Sequence, residues 1–315
     1  MFDLGTELNR AREVPELGVG VIWGKAIMLH RVEDKRRLEK VIEEHLKKAP
    51  ELRPFPEAVT RLLSACRDTD STSKDIESII ACDPSLSVKI LRLANSPLFC
   101  PARDVHSIVH AVTLLGRSKI KSIALSAVAA DMLLVGDVAK KQRQELWDHS
   151  VGCAAVASSL AKYVAGVQRD DVFLAGIFHD VGKLLFYDVV ASEYDELTSD
   201  YLGRALIEEE QFLFGTTHES IGVTAANRWG LPDELLAAIG WHHRPEDNPF
   251  GHPHALIISV ADDMARKWGI GSRPIPEIDL DEEVLQTIKV CEDDLAGIKN
   301  EAVEVLSQTL NLAVA

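Results

Sequence analysis

Residues 172–186 read VFLAGIFHDVGKLLF, an apolar run broken only by His179, Asp180 and Lys183. Its length and the absence of strict alternation predict a continuous, buried helix rather than a strand. An adjacent imidazole and carboxylate in such a run need partners, because an unpaired buried carboxylate is costly. Taken alone, the pair is most simply a packed core histidine beside a capping aspartate. Its surroundings point elsewhere.

His149 lies 30 residues upstream, on a helix expected over about 145–165, with Glu145 one turn earlier on the same face. Downstream, Thr217 is the expected N-cap before His218. His242 and His243 close a helix that Pro232 opens, and Asp262 interrupts the apolar IISVADDMA. Five of the eleven histidines thus stand with three carboxylates where helical hairpins could gather them. Imidazole with carboxylate is a donor set for iron, zinc or manganese rather than for calcium.

The first half is helical too. Residues 32–48 read as an exposed, charge-rich helix ended by Pro50, whereas LGVGVIWGKAIML before it fits strand or helix equally. EAVTRLLSAC places Ala58, Leu62 and Leu63 on one face. Thr72 and Asp75 form an expected capping box. Asp83-Pro84 opens a helix whose stripe is Leu86, Ile90 and Leu93, with Ser96-Pro97 as its stop. Gly116 closes a short helix ahead of a longer apolar one. The polar LVGDVAKKQRQ, residues 134–144, reads as a boundary. Residues 281–313 predict one or two amphipathic helices with a solvated acidic face.

Composition limits the functions available. With 34 basic against 49 acidic residues the net charge is -15, so general nucleic-acid binding is not expected. A metal cluster could still attract a small phosphoester, because its charge acts at short range. The five cysteines are scattered, with no CxxC pair, and read as reduced core residues. The opening residues show no signal-peptide pattern, and no apolar run approaches the ~18 residues a bilayer needs. The expectation is a cytoplasmic protein. His106 and His110, one turn apart, lack a third ligand and read as packing. His252 and His254 read as a solvated loop, and Trp241 as a packed tryptophan.

The ordered set Glu145, His149, His179-Asp180, His218, His242-His243 and Asp262 resembles the HD superfamily of metal-dependent phosphohydrolases, and more closely its HD-GYP branch. That resemblance implies that His149, His179, Asp180 and Asp262 hold one ion. Asp180 would bridge to a second ion on His218 and His242, with Glu145 and His243 completing the cluster or a third site. Two ions, of iron foremost or else manganese or zinc, would suit phosphoester hydrolysis. Asp180 and Lys183 would be its catalytic residues, Lys183 by neutralising a phosphate oxygen. The HD-GYP branch follows its His-His with an acidic residue and a Gly-Tyr-Pro loop; this chain reads HHRPEDNPFGHPH. Cyclic di-GMP hydrolysis is therefore not implied.

The first half resembles HDOD domains, the HD-related output domains of bacterial signalling. Shared features are a Pro-rich lead-in, the DPSLSVKILRLANS helix and the AVTLLG turn. The two resemblances span about residues 51–265. They imply an all-α, HD-domain-like helical bundle with an N-terminal helical subdomain: residues 1–50 as an extension, 51–135 as that subdomain, 136–270 as the metal-binding part and 271–315 as acidic C-terminal helices. The expected role is a signal-transduction module that binds a di-metal cluster and acts on a protein partner. A phosphohydrolase acting on a nucleotide or cyclic dinucleotide is the alternative.

Overall fold

The computed structural model describes residues 35–42, 44, 55–95, 104–134 and 138–313. The undecided segment before residue 32, Pro50, Ser96-Pro97 and Cys100 lie outside them. The described residues are all-helical, with no strand.

A helix over residues 35–42 (α1) contributes Leu38 and Ile42 to the core. Three short helices follow: α2 (Glu57–Arg67), α3 (Ser73–Ala81) and α4 (Pro84–Ala94). Their starts are where the sequence puts them. The Thr72–Asp75 capping box forms in both directions, and Asp83 accepts from the Leu86 N–H at 3.0 Å with Pro84 next to it. On α2 Leu62 and Leu63 are buried as expected, together with Val59 and Ala65, while Ala58 is half-buried against the core. These helices pack on α5 (Ile108–Leu134), which breaks at Gly116. There φ is 82°, a left-handed value that costs glycine little.

Next comes α6 (Lys140–Leu160), whose stretch Val151–Leu160 is buried on every side. A helix apolar all round belongs in the middle. α5, α7 (Arg169–Phe178), α13 (His254–Trp268) and α15 (Glu292–Ala313) all pack against it. Its small residues permit close approach: a Cβ on Gly176 of α7 would fall 2.4 Å from Ala154 Cα. α6 begins inside the polar stretch 134–144. Half of residues 134–144 is helix, and Arg143 is interior, donating to Val138 O and Met132 O and pairing with Asp188. Its cationic charge looked like surface in the sequence; its partners are what allow burial.

The deciding stretch also departs from a continuous helix. α7 ends at Phe178, and α8 (Lys183–Val189) begins only after the turn His179–Gly182. Through that turn the amides bond three residues back, from Val181 to Phe178 O and from Lys183 to Asp180 O. Tight turns of this kind align side chains at i and i+3, and Lys183 Nζ meets Asp180 Oδ2 at 2.7 Å. The turn also makes room for a neighbour, since a Cβ on Gly182 would lie 1.9 Å from His218 O.

The remaining helices are α9 (Ala191–Asp200), α10 (Gly203–Phe214), α11 (His218–Arg228), α12 (Asp233–Trp241) and α14 (Glu282–Thr287). The acidic tail forms two helices, as expected, with Ile298, Ala302 and Val305 of α15 turned into the core. Four cysteines are described and all are free, but only Cys153 is buried, whereas Cys82 and Cys291 are exposed. No described helix is long and apolar enough to cross a membrane.

Candidate metal centre

Five elements deliver side chains to one buried point. α6 brings His149, the α7–α8 turn His179 and Asp180, the start of α11 His218, the end of α12 His242 and His243, and the middle of α13 Asp262. Each placement has a local cause. Thr217 caps α11 by accepting from the Ser220 N–H, which fixes His218 as its first residue. Asp262 sits on the buried face of α13 with Ile258, Ala261 and Ala265.

Potential ligand atoms fall into two groups, each within 4.8 Å: His149, His179 and Asp262 in one, and Asp180, His218, His242 and His243 in the other. Asp180 joins them. Its Oδ2 lies 3.3 Å from His179 Nε2 and 3.7 Å from His149 Nε2. Its Oδ1 lies 3.4 Å from His218 Nε2 and 3.5 Å from His242 Nε2. One carboxylate therefore presents an oxygen to each group, the arrangement of a bridging ligand.

The imidazoles are held with their Nε2 atoms inward. His179 Nδ1 donates to Gly176 O at 2.7 Å and His242 Nδ1 to Ala238 O at 3.0 Å. A carbonyl can only accept, so Nδ1 carries a proton in both rings and Nε2 is the atom turned toward Asp180. His218 Nδ1 lies 2.8 Å from Glu210 Oε2 in a carboxylate–imidazole pair. Such outer contacts orient metal-ligating histidines. The inward atoms lack hydrogen-bond partners: His179, His218, His242 and His243 Nε2 and Asp180 Oδ1 are all buried and unsatisfied. Buried polar atoms are normally paired. Five orphans around one carboxylate fit divalent ions bound by imidazole nitrogen and carboxylate oxygen.

Electrostatics agree. Burial opposes ionisation of Asp180, but His179 and Lys183 outweigh it and hold its pKa well below the usual range. Asp262 is likewise held low, against burial, by Arg266 and His149. Burial, with Arg266 behind it, pulls His149 down to about 4 against the pull of Asp262, so its ring is neutral and ligand-ready at pH 7. Burial and the neighbouring His242 and His218 also lower His243.

Glu145 is not brought in. Its side chain is 55% exposed and pairs with Lys141 at 3.4 Å, on the rim of a cavity of about 680 Å³. That cavity reaches His149, Asp180, Lys183 and Arg266. Lys183, which could have been a solvated helix residue, is buried there. A smaller cavity of about 290 Å³ reaches His243 and Asp262 from another side, past Glu246, Asp263 and Asp281. His106 and His110 belong to neither ligand group. His254 is buried at the start of α13 rather than in a solvated loop, and Trp241 is half-buried against Phe250.

Three residues at the site went unnoticed in the sequence. Glu210 is buried, binds His218 through both its ring and its backbone N–H, and accepts from Tyr194 Oη at 2.6 Å. Glu219 accepts from the His243 N–H at 3.3 Å and pairs with Arg244. Arg266 donates to Asp262 Oδ1 at 2.9 Å and lies 3.0 Å from His149 Nε2. The signal for Arg266 was there: Asp262 precedes it by four residues, one helical turn.

Residues 52–245 match the HDOD domain family. This chain is an HDOD protein. An uncharacterised protein of Treponema pallidum (strain Nichols) is 24% identical over 228 residues, 71% of this chain. The chain spans only 44% of that relative's length. Among solved structures, a candidate phosphohydrolase from Shewanella amazonensis SB2B is 24% identical, with a TM-score of 0.64 over 85% of this HDOD protein and 97% of that chain. A candidate signal transduction protein from Marinobacter aquaeolei VT8 is 20% identical, with a TM-score of 0.66 over 90% and 65% of the two chains. These likenesses concern the fold.

Proposed function

We propose that this HDOD protein is a cytoplasmic signalling module built around a metal centre that can hold two divalent ions, iron foremost and manganese or zinc otherwise. The carrying observation is Asp180, with one oxygen toward His149 and His179 and the other toward His218 and His242. In this reading His149, His179 and Asp262 hold one ion, His218, His242 and His243 hold the other, and Asp180 serves both. The ions would pin helices far apart in the chain, and the 51–135 subdomain would offer a metal-set surface to a protein partner. Free cysteines and a net charge of -15 accord with a reduced compartment and a non-nucleic-acid partner.

The cavity beside Asp180 supports a second reading, hydrolysis of a small phosphoester. Divalent ions in the centre would supply Lewis acidity and a nucleophile at neutral pH. The chain's own part would be electrostatic: Lys183 and Arg266, both lining the cavity, would neutralise and orient phosphate oxygens. Metal analysis of the purified protein, with assays on bis(p-nitrophenyl) phosphate and a nucleotide panel under added iron or manganese, separates the two. Bound metal without turnover supports the module. Turnover that vanishes in His179→Ala and Asp180→Ala establishes the enzyme, and a protein that takes up no metal defeats both.

A further inference from the structure

The two ligand groups are not equivalent, because two cations stand on one side of Asp180. Lys183 Nζ donates to Oδ2 at 2.7 Å, and Arg266 Nη2 lies 3.9 Å from the same oxygen. Arg266 goes further. Its Nε donates to Asp262 Oδ1 and its Nη2 contacts His149 Nε2, so the guanidinium spans two of the four atoms, Asp180 Oδ2 included, on which an ion in that group would depend. His149 Nε2 and Asp262 Oδ1 are only 2.8 Å apart, with the guanidinium against both. The opposite group has no such occupant. Asp180 Oδ1 and the Nε2 atoms of His218, His242 and His243 are all without hydrogen bonds. The nearby Arg244 is turned away, paired with Glu219 at 2.9 Å.

From this asymmetry we infer that Arg266 is a tethered cation that competes with the metal for the His149–His179–Asp262 group, so that the centre takes up its ions in order. The first ion enters at Asp180, His218, His242 and His243, where it satisfies orphaned atoms and displaces nothing. The second must drive a guanidinium off Asp262 and His149, and binds more weakly by that cost. Arg266 has somewhere to go, since it lines the cavity of about 680 Å³ and its side chain is 16% exposed. It thus sets the metal stoichiometry, holding the resting protein at one ion where the ligands alone would allow two. This rests on the two-ion reading above and adds an order of loading to it.

Manganese titration of the chelator-stripped full chain tests this, followed by calorimetry and by electron paramagnetic resonance. Wild type is expected to bind one ion tightly and a second about tenfold or more weakly, a gap within the usual range of coupling between sites. The spectrum should stay that of an isolated ion until well past one equivalent. In Arg266→Gln the second ion should tighten toward the first, and an exchange-coupled pair should appear early. His218→Ala, which disables the first group, should leave only weak binding while Arg266 is present and regain a tight ion when combined with R266Q. Two ions of equal affinity in wild type overturn the inference while leaving the metal centre intact, and need no variant to be seen. An unchanged second affinity in folded R266Q also overturns it. No manganese bound by any of these proteins overturns the metal centre itself.

Discussion

Glu210 is buried among helices α9, α10 and α11, accepting from Tyr194 and from the backbone N–H of His218 while facing that residue's ring. Burial favours its neutral form, yet His218 and the hydrogen bonds from His218 and Tyr194 hold its pKa below the ordinary value. A carboxylate with a depressed folded pKa stabilises the fold above its unfolded pKa, and this is lost as the pH falls through the folded value. Glu210→Gln should therefore destabilise the protein at pH 7 by roughly 1–3 kcal/mol. Thermal melts should show the gap to wild type narrowing below about pH 4.5, the ordinary glutamate value. An equal gap at pH 7 and pH 4 would remove the charge from the explanation. The variant should also weaken metal binding by roughly 10–100-fold, as loss of an outer contact to a ligating histidine does. Asp180→Asn should do more, since it strips the carboxylate shared by both groups, and calorimetry should find neither ion bound tightly.

At the scale of elements, the turn between α7 and α8 shows what the sequence could and could not convey. The apolar run and the His-Asp pair were legible, because composition and order survive without coordinates. The break was not. Periodicity cannot separate a helix from a helix interrupted by one tight turn when every flanking residue is buried. The partner of the break is the backbone of α11, distant in sequence, which lies against Gly182. Glu210 was hidden for a related reason: it sits in the run Glu208–Glu210, which reads as a solvated face. Arg266, in the last turn of α13, reads as an ordinary cation at a helix C-terminus. Glu145 misled in the other direction, since sharing a face with His149 does not bring its carboxylate inward. Gly182→Ala should collide with His218 O and cost about 2–4 kcal/mol, at the upper end for single substitutions. Chemical denaturation should show the loss, and an unchanged midpoint would mean that the close approach of α11 relaxes without strain.

On the scale of the whole molecule, the ligand atoms come from five elements between residues 149 and 262, gathered around a core that runs from Leu38 to Val305. An ion held by the folded state alone stabilises it by mass action, about 2.7 kcal/mol at a free concentration of 100 times Kd. Chelation should lower the melting temperature, and added manganese should raise it in step with its concentration. A melting temperature indifferent to both would mean that the gathered histidines hold nothing.

The seat of α15 on α6 carries a mechanical consequence. The last long helix of the chain, beyond the residues matched to the family, leans on the strut that carries His149. A displacement of α15 would therefore bear directly on the helix that carries His149, with no loop between them.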